Sequence, residues 1–229
     1  MNMGTQTIPP EVTSLLREAA EWRLLGLLFE YPSEAWREQM AALLPDVAEA
    51  ELRESGRAAL THASPGQHHA LFGPGGLVPV REAPCQGGVQ FGYLLAELAA
   101  YYDAFGYCPA TTAEADDHLA VELGFLAYLK MKQALALATG DAGGAAVSAE
   151  AAVRFLRDHL RVTAEPAAQA LAAHAPDYLA AVGQRLVERA GPAPRSAFPP
   201  ATSPDRQEDS GEFVCGPAPP GVDFVRLAP

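Results

Sequence analysis

The sequence predicts an all-α fold: a single helical-bundle domain of about eight helices over residues 1–190, followed by a Pro/Gly-rich C-terminal tail, 191–229, extended or docked on the domain. Three observations carry this. Apolar residues recur at three- and four-residue spacing through most of the first 190 positions. Signal for a sheet is low, and the short apolar run Leu77–Val80 reads as loop. Composition then changes at Gly191: residues 191–229 hold nine prolines and four glycines, too many to continue a helix or to build a core.

The first helix is expected from about Glu11 to Tyr31. Leu15, Ala19, Trp22, Leu25 and Leu28 form its stripe, widened by Leu24, Leu27 and Phe29. Pro32 ends it, because the residue before a proline is pushed out of the helical region. Ser33 is a natural N-cap for a second helix, Glu34–Leu44, with Trp36, Met40 and Leu43/Leu44 inward. A weak third helix covers about Val47–Thr61. The glycine- and proline-rich stretch Ala63–Gly88 reads as loop and contains His68-His69-Ala70-Leu71-Phe72-Gly73-Pro74. A helix follows over Val89–Ala104, closed by Gly106. Thr111 to Glu114 reads as a capping box opening a long helix that ends near Thr139. Gly143-Gly144 reads as a turn. Further helices are expected over Ser148–Leu160 and Pro166–Ala190, the latter broken at Pro176.

Composition narrows the function. Hydrophobic residues make up 49% and charged residues 19%, which excludes a disordered chain as a whole. A net charge of −12 argues against nucleic acid or an anionic membrane as partner and leaves a basic partner open. No stretch approaches the roughly 20 apolar residues of a membrane span, so no stable membrane insertion is expected. The N-terminus lacks the pattern of an export signal, and the three cysteines give no disulfide framework. A cytoplasmic protein is the expectation, monomer or homodimer.

The unusual feature is electrostatic. Between Arg81 and Lys130 there is no Lys or Arg, while Glu82, Glu97, Asp103, Glu114, Asp116, Asp117 and Glu122 fall in that stretch. A solvated acidic face, with acids at a helix N-terminus, is the plain reading. On a continuous helix Glu114, His118 and Glu122 would share one face, so His118 would be flanked by carboxylates and protonate more readily than a free histidine. Such a face could seat a cationic ligand. Two other chemistries compete. His118, Glu122, Asp117 and His68 or His69 are acceptable metal ligands, which keeps a metal-binding hydrolase as an alternative, although no HExxH or CxxC motif is present. A helical interaction subunit with an acidic face is another. No nucleophile elbow or phosphate loop occurs, so no catalytic residue is assigned. Leu71-Phe72 either plug the core or line a groove for an apolar partner segment.

Asp117-His118-Leu119-Ala-Val-Glu122-Leu123-Gly-Phe125-Leu126-Ala-Tyr-Leu129 resembles the signature helix of the TorD/DmsD/NarJ-type redox-enzyme maturation chaperones. Leu71-Phe72-Gly73-Pro74, Tyr101-Tyr102-Asp-Ala-Phe105-Gly106 and the segment Trp22 to Tyr31-Pro32 are similar to further family motifs in the same order. The resemblance covers about residues 11–190. Ala115 stands where the family usually has proline, and His68 where it has an aromatic residue. The resemblance implies an all-α, cytoplasmic, non-enzymatic protein without a cofactor of its own. Its partners would be the twin-arginine leader and the apo body of a molybdopterin-containing oxidoreductase catalytic subunit. It places Asp117, His118, Leu71 and Phe72 in the peptide-binding site. Glu114, Glu122 and His68 join them through the acidic, apolar cradle that two guanidinium groups and an apolar segment behind them would need.

Overall fold

A long apolar stripe on α1 (Pro10–Leu27) buries against α7 (Leu119–Ala138), and this pair forms the spine of the protein. The computed structural model describes residues 8–86, 91–109 and 114–192, and all of them lie in the compact unit Met1–Ser196. The tail expected from Gly191 falls, beyond Pro192, outside the described residues, as does Thr111 of the expected capping box. Gly26 permits the close crossing of the spine: a Cβ there would stand 3.2 Å from the Ala120 carbonyl oxygen.

The remaining helices are α2 (Glu34–Leu43), α3 (Ala50–His62), α4 (Pro65–Phe72), α5 (Glu82–Cys85), α6 (Phe91–Phe105), α8 (Ala142–Phe155), α9 (Arg161–His174) and α10 (Asp177–Ala190). No strand occurs among the described residues. Helix α8 packs on α7, α9 on α10, and α10 on α3. The core gathers Leu24, Leu25, Phe29, Met40, Leu98, Leu123, Phe125 and Phe155, none more than 2% exposed.

Local chemistry explains most boundaries. Ser33 caps α2, its hydroxyl accepting from the Trp36 N–H at 3.1 Å. The Trp36 indole donates to the Leu27 carbonyl at 2.6 Å, beside the Glu30 N–H that donates to the same oxygen at 3.1 Å, and so ties α2 to the end of α1. Gly106 closes α6 with φ +67°, where a side chain would strain the backbone. Pro176 separates α9 from α10 as expected.

Several expectations are corrected. The region Ala63–Gly88 is not all loop: Ser64 caps α4, and α5 adds one turn. Pro166 lies inside α9 rather than at its start. Gly143 and Gly144 sit in the first turn of α8, capped by Asp141, not in a turn of their own. Between α8 and α9 the chain takes a π-helical segment, Leu156–Leu160. The most consequential difference concerns α7. It begins at Leu119, with His118 as its N-cap, so Glu114, Asp116 and Asp117 precede the helix.

Candidate functional site

Three segments meet at the N-terminus of α7. The strap after α4 folds back on it, Leu77 N–H donating to Ala70 O and Val78 N–H to Leu71 O, at 3.2 and 2.9 Å. Residues 80–82 then pair antiparallel with 117–119. Leu119 N–H donates to Val80 O at 2.8 Å, Glu82 N–H donates to Asp117 O at 2.9 Å, and Arg81 and His118 form the bridge between them. The pairing brings the end of α4, with His68, Leu71 and Phe72, beside Asp117 and His118.

Asp117 is fully buried. Its Oδ1 takes the Arg81 guanidinium, through Nε at 2.6 Å and through Nη2, and its Oδ2 accepts from Ala83 N–H at 3.2 Å. The cation-free stretch thus draws a cation from its own edge, not from within. Arg81, at the edge of the cation-free stretch, reaches a partner 36 residues away because the backbone bridge holds the two segments together.

His118 is also buried. Its Nδ1 accepts from Ala120 N–H at 3.1 Å, which leaves Nε2 to carry the proton, 3.6 Å from a Glu114 carboxylate oxygen. Burial, more than the opposing pull of Glu114, lowers its pKa to about 4. The expectation of an easily protonated His118 is thus overturned. It requires flanking carboxylates on a continuous helix, whereas Glu114 is not on the helix and desolvation outweighs its charge.

Behind this pair lies a second buried group. Both Glu82 oxygens lie 3.2–3.3 Å from His159 Nδ1, and Gln86 donates to Glu82 as well. Glu122 faces the same space, fully buried, with its carboxyl toward Glu82 and no cation or backbone N–H on it. Burial first, and the neighbouring Glu82 carboxylate second, push its pKa well above the usual carboxylate range, which favours its protonated form. The same burial raises the Cys85 thiol. Tyr102 lies against this space too, and its hydroxyl donates to Asp116 O at 2.8 Å. Glu122 is therefore an interior group and not an open contact for a ligand, contrary to expectation. The sequence assigns no site role to Arg81, Glu82 or His159. Their roles depend on long-range pairing and, for His159, on the π segment.

The part of the site that solvent reaches is a rim. Leu71 and Phe72 are buried at the end of α4, where Phe72 packs on Phe29 at 5.4 Å and on His68 at 5.3 Å between ring centroids. They brace His68, whose Nε2 bonds the Phe29 carbonyl at 3.2 Å. Although His68 departs from the aromatic residue that the resemblance leads one to expect, its ring makes aromatic contacts, meeting Tyr31 edge-on at 5.5 Å. Burial lowers its pKa. Tyr31 and His69 are exposed, and the Glu114 side chain is 30% exposed. A narrow cleft lined by Glu30, Trp36, Gln67, His68, Leu71 and Tyr178 opens beside them.

Among the described residues no three His, Cys, Asp or Glu side chains gather in a way that could hold a metal, so His118, Glu122 and His68 do not form the ligand set of the hydrolase alternative. No helix among the described residues is long and apolar enough to cross a membrane.

The Asp-His pair at the start of α7 lies within a stretch similar to the NarJ/TorD-type chaperones. Residues 85–169, spanning α6 to α8 and most of α9, match the family model described as nitrate reductase delta subunit. That family is a chaperone family for molybdoenzyme maturation. No curated protein matches the chain.

Proposed function

We propose that this protein is a cytoplasmic, non-catalytic chaperone that binds the twin-arginine leader, the apo body, or both, of a molybdopterin-containing oxidoreductase subunit, and holds it until cofactor insertion and before export. One observation supports this most: the end of α4, the 77–82 strap and the start of α7 converge, setting a partly exposed carboxylate, Glu114, beside an aromatic and imidazole rim of Tyr31, His68 and His69. The carboxylate suits a leader guanidinium through charge-assisted hydrogen bonds, and the rim suits cation–π contact with the arginines and apolar contact with the leader's hydrophobic segment. In this reading Glu114, His68, His69 and Tyr31 touch the peptide. In the resting form Asp117, paired with Arg81, and His118, Leu71, Phe72 and Glu122 hold that rim in shape from beneath.

Calorimetry with a two-arginine leader peptide tests it. Glu114→Gln is expected to weaken binding about tenfold, the worth of one charged hydrogen bond. Added salt is expected to weaken wild-type binding. Equal affinities for wild type and Glu114→Gln at low salt would remove Glu114 from the site.

A further inference from the structure

We propose that Arg81 is an internal stand-in for a ligand guanidinium, and that Asp117 is a guanidinium seat which an arginine of the bound peptide takes over when the Arg81 side chain swings out. The inference rests on the leader-binding reading and gives it a specificity device.

The geometry supports an exchange. Asp117 is 0% exposed, while the Arg81 side chain paired with it is 37% exposed, so the arginine runs from the carboxylate out to solvent. The backbone at Arg81 is pinned on both sides, by Leu119 N–H to Val80 O and by Glu82 N–H to Asp117 O. The side chain can therefore leave without the strap moving. Asp117 stays aimed after departure, because Ala83 N–H still holds Oδ2, and only Oδ1 is freed. Glu114, next to His118, lies close by for a second cation.

Chemistry then dictates what can enter. A buried carboxylate stripped of its partner is costly, so the open form is scarce unless an equivalent cation arrives. A guanidinium has the planar, multi-donor edge that Arg81 presents to Oδ1; a lysine ammonium is a more strongly hydrated point charge and replaces it poorly. The internal arginine also taxes affinity, because the seat is free in only a fraction of molecules. The resting contact thereby rejects weak cationic sequences and accepts arginine.

The test compares wild type, Arg81→Ala and Arg81→Lys as full chains. Thermal unfolding is followed with millimolar guanidinium chloride against equal sodium chloride. Guanidinium is expected to raise the Tm of Arg81→Ala and to leave wild type unchanged. Calorimetry should show a two-arginine leader peptide binding Arg81→Ala about tenfold more tightly than wild type, with a smaller gain for Arg81→Lys, as the internal competitor is removed or weakened. A two-lysine peptide should gain nothing. If Arg81→Ala does not fold, Arg81→Lys decides, since it keeps a cation opposite Asp117. Unchanged or weaker binding of the two-arginine peptide by the variants overturns the exchange while leaving the leader-binding reading intact. Guanidinium rescue with no peptide binding by any of the three proteins keeps the seat and removes the leader-binding reading.

Discussion

Asp117 and Glu122 stand five residues apart on either side of the start of α7, both fully buried, yet the fold handles them in opposite ways. Asp117 meets a guanidinium and a backbone N–H. Glu122 meets neither; it faces another carboxylate, Glu82. One acid is compensated by a cation brought across the chain; the other, beside a second carboxylate, has its protonated form favoured. Burial alone therefore does not decide the state of a carboxylate in this protein. What decides it is whether a distant segment delivers a positive charge, and the antiparallel bridge between Arg81 and His118 makes that delivery.

Removing the compensated acid should have the largest effect. Asp117→Ala leaves Arg81 without its carboxylate and Ala83 N–H unpaired, and is expected to cost about 3 kcal/mol, discounted for the partial exposure of Arg81. Urea unfolding measures it, and a cost no larger than that of an average surface change would contradict the pairing. Glu122→Gln should act the other way. The raised pKa means the folded state keeps a proton that the unfolded chain releases. Stability from this group is full below the ordinary carboxylate pKa of about 4.3 and drains as pH rises toward the folded value. The neutral amide should make the protein more stable than wild type at alkaline pH and remove that slope.

His118 should show the mirror image over an overlapping range. Its folded pKa of about 4 lies below the ordinary value of 6.5, so its contribution is full above 6.5 and drains as pH falls toward 4. His118→Asn retains a capping oxygen for Ala120 N–H and should flatten the acid limb while changing stability little at neutral pH. Ser33→Ala supplies the smallest effect and a reference. Loss of the α2 cap should cost about 1 kcal/mol with no dependence on pH, because no titratable group takes part.

How much of this is legible in the chain alone depends on the distance over which each feature is determined. The spine is legible, because Leu15, Leu25 and Leu28 on one side and Leu119, Leu123 and Leu126 on the other repeat at helix period. Ser33 and Gly106 announce their caps. Helix α4 is hidden because Pro65-Gly-Gln-His-His offers no apolar periodicity, and only its last residues, Leu71 and Phe72, are buried. The start of α7 is easily misplaced because an acid run suits a helix N-terminus equally well inside or just before the first turn. The Asp-His pair is visible as a motif. Its partners are not: Arg81 is joined to it by a backbone bridge, and nothing local to either segment encodes that register. The His118 pKa escapes for a related reason, since charge can be counted in a sequence but desolvation cannot.

The π segment Leu156–Leu160 has a consequence of its own. A π turn holds one residue more than a regular helical turn, so every side chain beyond it is rotated by about 100° relative to an uninterrupted helix. His159 lies inside this widened turn, with Nδ1 on Glu82. Deleting a single residue there would restore ordinary winding and turn the imidazole away from the strap without altering the chemistry of any side chain. At this point of the molecule, chain length rather than residue identity is the quantity that the fold must conserve.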